Sequence, residues 1–292
     1  MNKGEIKAVV KAAGGSTLTR DARFSNLTAI ANELKQPELN IQIKSFTGLK
    51  TQHLSKLVSL WVGQGKSART IHNKLAHIRA ALVAVGREKF ANSKQVSNAA
   101  LGAPKASRAG THNVSSPDVL NTRISALPPG IQEAARLQQT LGLRAQEAIQ
   151  SVQSLKRWEM QILNGQRVTI LHGTKGGRAR DTSLPSENAR SAALEAVRAA
   201  IKAAATQEGR LVPSSSLEGA KRAYQRAMNE VGFKGTEASH SLRYHFARAQ
   251  FERYQEMGFE RKEALSALSM DLGHGDGRGR YCAHVYLKGQ TD

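Results

Sequence analysis

The sequence predicts a mostly α protein with a small β-sheet, built in two parts. Three observations predict it. Apolar residues recur at helical spacing through most of the chain. One central stretch, residues 97–118, has no apolar period and is rich in Ala, Gly, Ser and Pro. One segment, residues 160–171, carries an Asn-Gly pair between short apolar runs, a strong two-residue turn signal.

In chain order, residues 1–20 are basic and punctuated by Gly, Ser and Thr, and are expected to form a loose basic arm. Residues 24–35 read as a helix with Leu27, Ile30 and Leu34 on one face. Residues 50–63 read as a second, with Leu54, Leu57, Val58 and Trp61 clustered. GQGK breaks it, and Ser67 is a plausible N-cap for the next helix. That helix carries Ile71, Leu75, Ile78, Leu82 and Val85 as an apolar seam. Lys66 and Arg69 at its start, and Lys74 and Arg79 on its other faces beside His72 and His77, are candidate DNA contacts; a solvated polar face is the bland alternative. The boundary falls in the 97–118 stretch, which has linker composition. The division expected is a 1–20 arm, a 21–100 helical domain, a 101–116 linker and a 117–292 second domain, with Ser116 or Asp118 capping its first helix. Helices are expected over 117–126, 129–139, 143–153, 187–205, 217–231, 240–256 and 260–271. Residues 160–171 should form a hairpin turning at Asn164-Gly165, and 172–185 a basic continuation of it. A Gly-rich turn then leads into the tail.

The chain has 292 residues, 40 % of them hydrophobic and 5 % aromatic, enough for an aliphatic core and too many for a disordered chain. Its formal net charge is +20 and its pI about 10.4. Residues 1–110 hold 18 Lys and Arg against 5 Asp and Glu, a net of +13; the rest nets +7. Such charge is the footprint of a nucleic-acid binder. The single cysteine, Cys282, excludes an internal disulfide framework and fits a reducing compartment. No segment has the ~20 apolar residues of a membrane helix. The opening MNKGEIKAVVKAAGG lacks an apolar core, so no signal peptide is expected.

Four segments carry candidate chemistry: LGLRAQEA with Arg144 and Glu147, GTKGGRARDTSLP with Lys175, ASHSLRYHFA with His240 and Arg243, and LGHGDGRGRYCAHVYL with His274, Tyr281 and Tyr286. Three residues separate Arg144 from Glu147 and His240 from Arg243, which puts each pair on one helix face. A planar, permanently charged guanidinium binds phosphate with two donors. Arg178 and Arg180 flank Lys175 as further candidate DNA contacts. Cys282, His274, His284 and His240 lack zinc spacing. The glycine run 273–279 lacks the lysine frame of a phosphate loop. No metal or nucleotide is expected.

These segments, in this order, resemble the tyrosine recombinase (phage integrase) family of bacterial mobile elements. That family has an Arg in G-L-R-x-x-E/D, a Lys on a β-hairpin, H-x-x-R, L-G-H and a nearby Tyr. The likeness is close over 115–290 and looser over 25–95. It implies an N-terminal helical core-binding domain and a C-terminal mixed α/β tyrosine recombinase catalytic domain. By resemblance Arg144 and Arg243 clamp the scissile phosphate and Glu147 supports the site. Lys175 protonates the leaving 5′-oxygen. His240 accepts the nucleophile's proton or donates to phosphate, and His274 donates to phosphate.

The nucleophile departs from the pattern. The family's usual tyrosine position, nine residues after this His, is Ala283 here. GDGRGR looks like a three-residue insertion, which favours Tyr286 and leaves Tyr281 as the alternative. The resemblance further implies a DNA recombinase or integrase working through a 3′-phosphotyrosyl intermediate and a Holliday junction. It would act as a homo-tetramer on double-stranded att-like sites, in the cytoplasm, without cofactor. A DNA-bending accessory protein or a directionality factor would assist it. A catalytically silent DNA-binding or architectural protein of the same fold, and a type IB topoisomerase-like relaxing enzyme, are the alternatives.

Overall fold

A computed structural model of the chain describes residues 1–107 and 109–288. It divides at residues 107 and 108 into two units, each with its own core.

The first unit is helical throughout. Its helices are α1 (Lys3–Ala12), α2 (Thr17–Lys35), α3 (Thr51–Gly63), α4 (Ala68–Ala84) and the short α5 (Glu88–Ala91). Ser16 and Ser67 cap α2 and α4, each accepting an N–H from the residue three positions on. The apolar seams meet around Leu27, Ile30, Leu57, Trp61, Ile71 and Ile78, all essentially unexposed. The loose basic arm over 1–20 is corrected. Ile6, Val9 and Val10 stand at helical spacing and bury in this core, so α1 is part of the unit. The first expected helix accordingly begins at Thr17, not at residue 24. The expected linker is also part-structured, since Leu101 is buried in the same core.

The second unit contains α6 (Pro117–Ser125), α7 (Ile131–Leu141), α8 (Ala145–Ile149), α9 (Leu155–Leu163), β1 (Val168–Ile170), β2 (Arg180–Thr182), α10 (Glu187–Ala205), α11 (Leu217–Glu230), α12 (Ser241–Glu256), α13 (Arg261–Asp271) and α14 (Gly279–Tyr286). Ser116 caps α6. The buried face of α10 is largely alanine, at 189, 193, 196, 200 and 204, which lets it lie closely on α7 and α9.

β1 and β2 are antiparallel, Val168 facing Thr182 and Ile170 facing Arg180. The hairpin is therefore not where the Asn-Gly signal placed it. Leu155, Trp158 and Ile162 keep the helical period up to that pair, so α9 runs on and Gly165 merely ends it. The loop of residues 171–179 joins the two strands instead. Beyond α13 and the expected Gly-rich turn, the tail folds back as a helix, α14. No helix among the described residues is long and apolar enough to cross a membrane.

Candidate active site

The site is assembled around one backbone carbonyl. Gly142 ends α7 in the left-handed conformation (φ +60°), and a Cβ there would fall 2.4 Å from the Phe246 ring. The turn it makes aims its carbonyl inward. That oxygen accepts from Arg243 Nη1 and, at 3.1 Å, from Arg180 Nη2.

Arg144 follows at the start of α8. Glu147, three residues on and fully buried, accepts from the Arg144 backbone N–H at 2.8 Å and from Arg144 Nη1 at 2.6 Å. It also takes Arg180 Nη2 at 2.9 Å. Burial alone would raise the Glu147 pKa. The charge of Arg180, its hydrogen bond, and the charges of Arg243 and Arg144 outweigh burial and hold it at about 2.

Arg243 is wholly buried on α12. Its Nη2 donates to the Leu272 carbonyl, and its Nε lies 3.4 Å from the Tyr286 hydroxyl. His274 follows Gly273 just beyond α13, and its Nε2 is 3.0 Å from the same hydroxyl. Tyr286, 3 % exposed on α14, is thus held between a guanidinium and an imidazole. Burial, then the charge of Arg243, pulls both histidines far below 6.5, His240 to about 4 and His274 to about 3. Both are neutral near pH 7. A neutral imidazole has one nitrogen that accepts a proton and one that donates.

His240 precedes α12, its ring 6.4 Å from that of Tyr286. Tyr244 fills the space behind, its ring 4.8 Å from that of Tyr286. His112, which sequence reasoning missed, comes from the stretch read as linker. Its ring lies 5.4 Å from His240 and 5.3 Å from Tyr244. Gly110 beside it donates to the His284 carbonyl at 3.2 Å. A Cβ on Gly110 would come within 1.8 Å of the Val285 carbonyl.

An open cavity of about 940 Å³ runs over these groups, walled by Arg144, Lys175, His240, His274 and Tyr286, with Arg167, Arg178 and Arg278 also on it. Lys175 stands in the exposed turn Lys175–Gly177 of the β1–β2 loop. Its side chain has no hydrogen-bond or ion-pair partner among the described residues. Tyr281 also reaches the cavity, 38 % exposed, its ring 4.9 Å from that of His274. Arg243 does not wall the cavity; Tyr286, which it holds, does.

Several residues expected to meet DNA are placed otherwise. Arg178 is exposed, but Arg180 points inward and is buried, so its expected role as a DNA contact is corrected. On strand β2 it alternates inward with Thr182, away from Asp181. Lys74 is buried too, salt-bridged to Glu33 at 3.0 Å, because it falls between Ile71 and Ile78 on the apolar face. Arg79 is half-buried and spends its guanidinium on the Val96 carbonyl, at 2.7 Å from Nη2, and on Asn98. Lys66 is half-exposed; Arg69 is exposed, with Nη2 donating to the Ser107 carbonyl at 3.0 Å.

An integrase family profile matches residues 102–249, and a phage integrase N-terminal profile matches residues 1–91. Among solved structures the chain is similar to a lambda integrase dimer bound to a COC′ core site, at 17 % identity and TM-score 0.61, covering 99 % of this chain and 78 % of that one. It is also similar to a lambda integrase tetramer bound to a Holliday junction, at 16 % identity and TM-score 0.56, covering 94 % and 76 %. A third is the Tn1549 transposon integrase in complex with transposon right end DNA, at 14 % identity and TM-score 0.54, covering 94 % and 93 %. At these identities the likeness is one of fold. No curated protein matches the chain. With profiles for both parts matched and a cluster of Arg, His and Tyr at the centre of the second, the chain belongs to the phage integrase, or tyrosine recombinase, family.

Proposed function

We propose that this protein is a site-specific DNA recombinase that cuts and rejoins DNA through a 3′-phosphotyrosyl link made by Tyr286, to integrate or excise a mobile element. The observation that carries the reading is the position of the Tyr286 hydroxyl. It lies 3.0 Å from a neutral imidazole and 3.4 Å from a guanidinium, at the wall of a cation-lined cavity. His274 Nε2 holds the phenol oxygen at 3.0 Å. The phenol proton passes to one of the two neutral imidazoles, His240 or His274, as the oxygen attacks phosphorus, the bound phosphate's negative charge offsetting the arginines that hold those rings neutral. The bond to the 5′-oxygen breaks, and Lys175, on its exposed loop, delivers the proton that oxygen needs. Arg144 and Arg243 balance charge on the non-bridging oxygens. Arg243 is reached only as Tyr286 gives up its Nε donor, so attack by the phenol and engagement of that arginine go together. His240 completes the wall as a neutral hydrogen-bonding group.

A 5′-hydroxyl from a second duplex reverses the step, and the ester keeps the bond energy. In this reading four copies act on two att-like duplexes through a Holliday junction, in the cytoplasm, aided by a DNA-bending protein or a directionality factor. Half-exposed Lys66 and exposed Arg69 and Arg178 are the basic side chains proposed to hold backbone phosphate.

Nicked suicide duplexes tiled across the DNA flanking the gene test this. Wild type and Tyr281→Phe should form a covalent protein–DNA adduct, while Tyr286→Phe should fall below about one-thousandth of it. The reverse pattern moves the nucleophile to Tyr281. No adduct from wild type favours a DNA-binding module. Adduct without joining to a second duplex favours a topoisomerase-like relaxing enzyme.

A further inference from the structure

We propose that Arg180 is a positioning residue of the cleavage centre: it holds the Glu147 carboxylate that aims Arg144, and shares with Arg243 the Gly142 carbonyl. This rests on the cleavage reading above.

The geometry is specific. Arg180 Nη1 donates to Thr182 Oγ1 at 2.5 Å and to the Asp271 carbonyl. Nη2 donates to the Gly142 carbonyl at 3.1 Å and to Glu147 Oε2 at 2.9 Å. The Nε proton is buried and finds no partner among the described residues. All four terminal N–H groups are therefore spent on protein, and none is left for DNA. Thr182 lies on Arg180's own strand; the other partners come from three places: the turn after α7, the start of α8, and the end of α13 three residues before His274. Arg180 itself lies five residues after Lys175 on the hairpin. One side chain thus ties together the segments carrying Lys175, Arg144 and His274, and meets Arg243 through the Gly142 carbonyl that both donate to.

Its electrostatic part is equally defined. Glu147 is faced by Arg144 from its own helix start, by Arg180 from β2, and by Arg243 and His240 from α12 and its cap. A fully buried carboxylate needs a buried partner. Arg180, 4 % exposed, is that partner, whereas Arg144 is 25 % exposed at the cavity. Division of labour follows. Arg180 neutralises Glu147, and Arg144 is oriented by Glu147 through Nη1 while Nε and Nη2 stay available to phosphate. A lysine could supply the charge but not the planar fork that reaches two carbonyls and a carboxylate at once.

The test uses full-length Arg180→Met and Arg180→Lys. Glu147 is followed by carboxyl-¹³C NMR, its resonance identified by its absence in Glu147→Gln; single-turnover cleavage is measured on the adduct-forming nicked duplex. Wild type should keep Glu147 ionised below pH 4. In Arg180→Met it should titrate above pH 4.5, and cleavage at pH 7 should drop about 30-fold with DNA affinity changed less than about threefold. That loss should deepen as pH falls, and the added pH dependence should vanish in Arg180→Met/Glu147→Gln. Arg180→Lys should restore Glu147 ionisation but leave cleavage about five- to tenfold down.

Cleavage within threefold of wild type in Arg180→Met overturns the proposal, as does a loss that leaves the Glu147 titration unmoved. Should Arg180→Met not fold, Arg180→Lys decides: reduced cleavage with Glu147 ionised supports the positioning role, and wild-type cleavage overturns it. If no wild-type adduct exists, the NMR arm still reads the Arg180–Glu147 link, so the two failures are told apart.

Discussion

At the scale of single residues, burial and charge together set the protonation of the site. His240 and His274 sit at about 4 and about 3, against an ordinary 6.5. The unfolded chain therefore takes up protons as pH falls through 6.5, while the folded chain holds these rings neutral. The linkage sign is fixed: folding stability is full above pH 6.5 and declines steadily from there toward pH 3. Glu147, held at about 2, adds to the decline below about 4.5. Calorimetry between pH 7 and pH 4 should show the melting temperature of the free protein falling, with a shallower slope in His240→Gln/His274→Gln. A midpoint constant between pH 7 and pH 5 would contradict the protonation states assigned. The family motifs single out Arg144, Glu147, Lys175, His240, Arg243 and His274, with Tyr286 favoured over Tyr281 across a broken spacing, and the fold gathers these residues, both tyrosines included, about one centre. Charge alone marks Arg180 and Lys74 as DNA contacts. Periodicity already held the better answer: Arg180 shares an inward strand register with Thr182, and Lys74 lies on the Ile71–Ile78 face. His112 had no such signal, because only the fold brings residue 112 beside residue 240.

At the scale of elements, helices were legible where apolar residues kept one period over several turns, as in α3, α4 and α10. The hairpin was harder. An Asn-Gly pair ends a helix as readily as it turns a hairpin, and Gln161 at the end of α9 takes the strand's place by accepting from the Thr169 N–H at 3.2 Å. The N-terminal arm shows the opposite failure, in which basic residues on the outer face of α1 masked three inward apolar ones. Because Ile6, Val9 and Val10 bury in the first core, deleting residues 1–15 should destabilise that unit by about 4.5 kcal/mol or more, at roughly 1.5 kcal/mol or more for each of the three side chains. Thermal melts of the shortened chain should show the first unit unfolding well below the intact protein. An unchanged melt would mean that α1 adds nothing to the core.

At the scale of the whole molecule, the fold class and the two-part build were readable because each part carries its own apolar set. What composition could not show is how far structure extends into the stretch between them. Ala, Gly, Ser and Pro make good linkers, but the same small residues make close contacts. Gly110 is such a contact: no side chain fits between its backbone and the Val285 carbonyl, one residue before Tyr286. His112 Nδ1 and Asn113 N, at 3.1 and 2.8 Å from the Thr236 carbonyl, continue the seam. Protein engineers who lengthen this stretch should therefore find two regimes a few residues apart. A Gly-Ser insertion directly after Ser107 should leave the melting of the second unit within a degree or two. The same insertion after Gly110 should loosen α14, raise the protease sensitivity of the C-terminus and slow adduct formation, while DNA affinity holds. Equal tolerance at both points would show that residues 110–113 rest on the nucleophile's helix without supporting it.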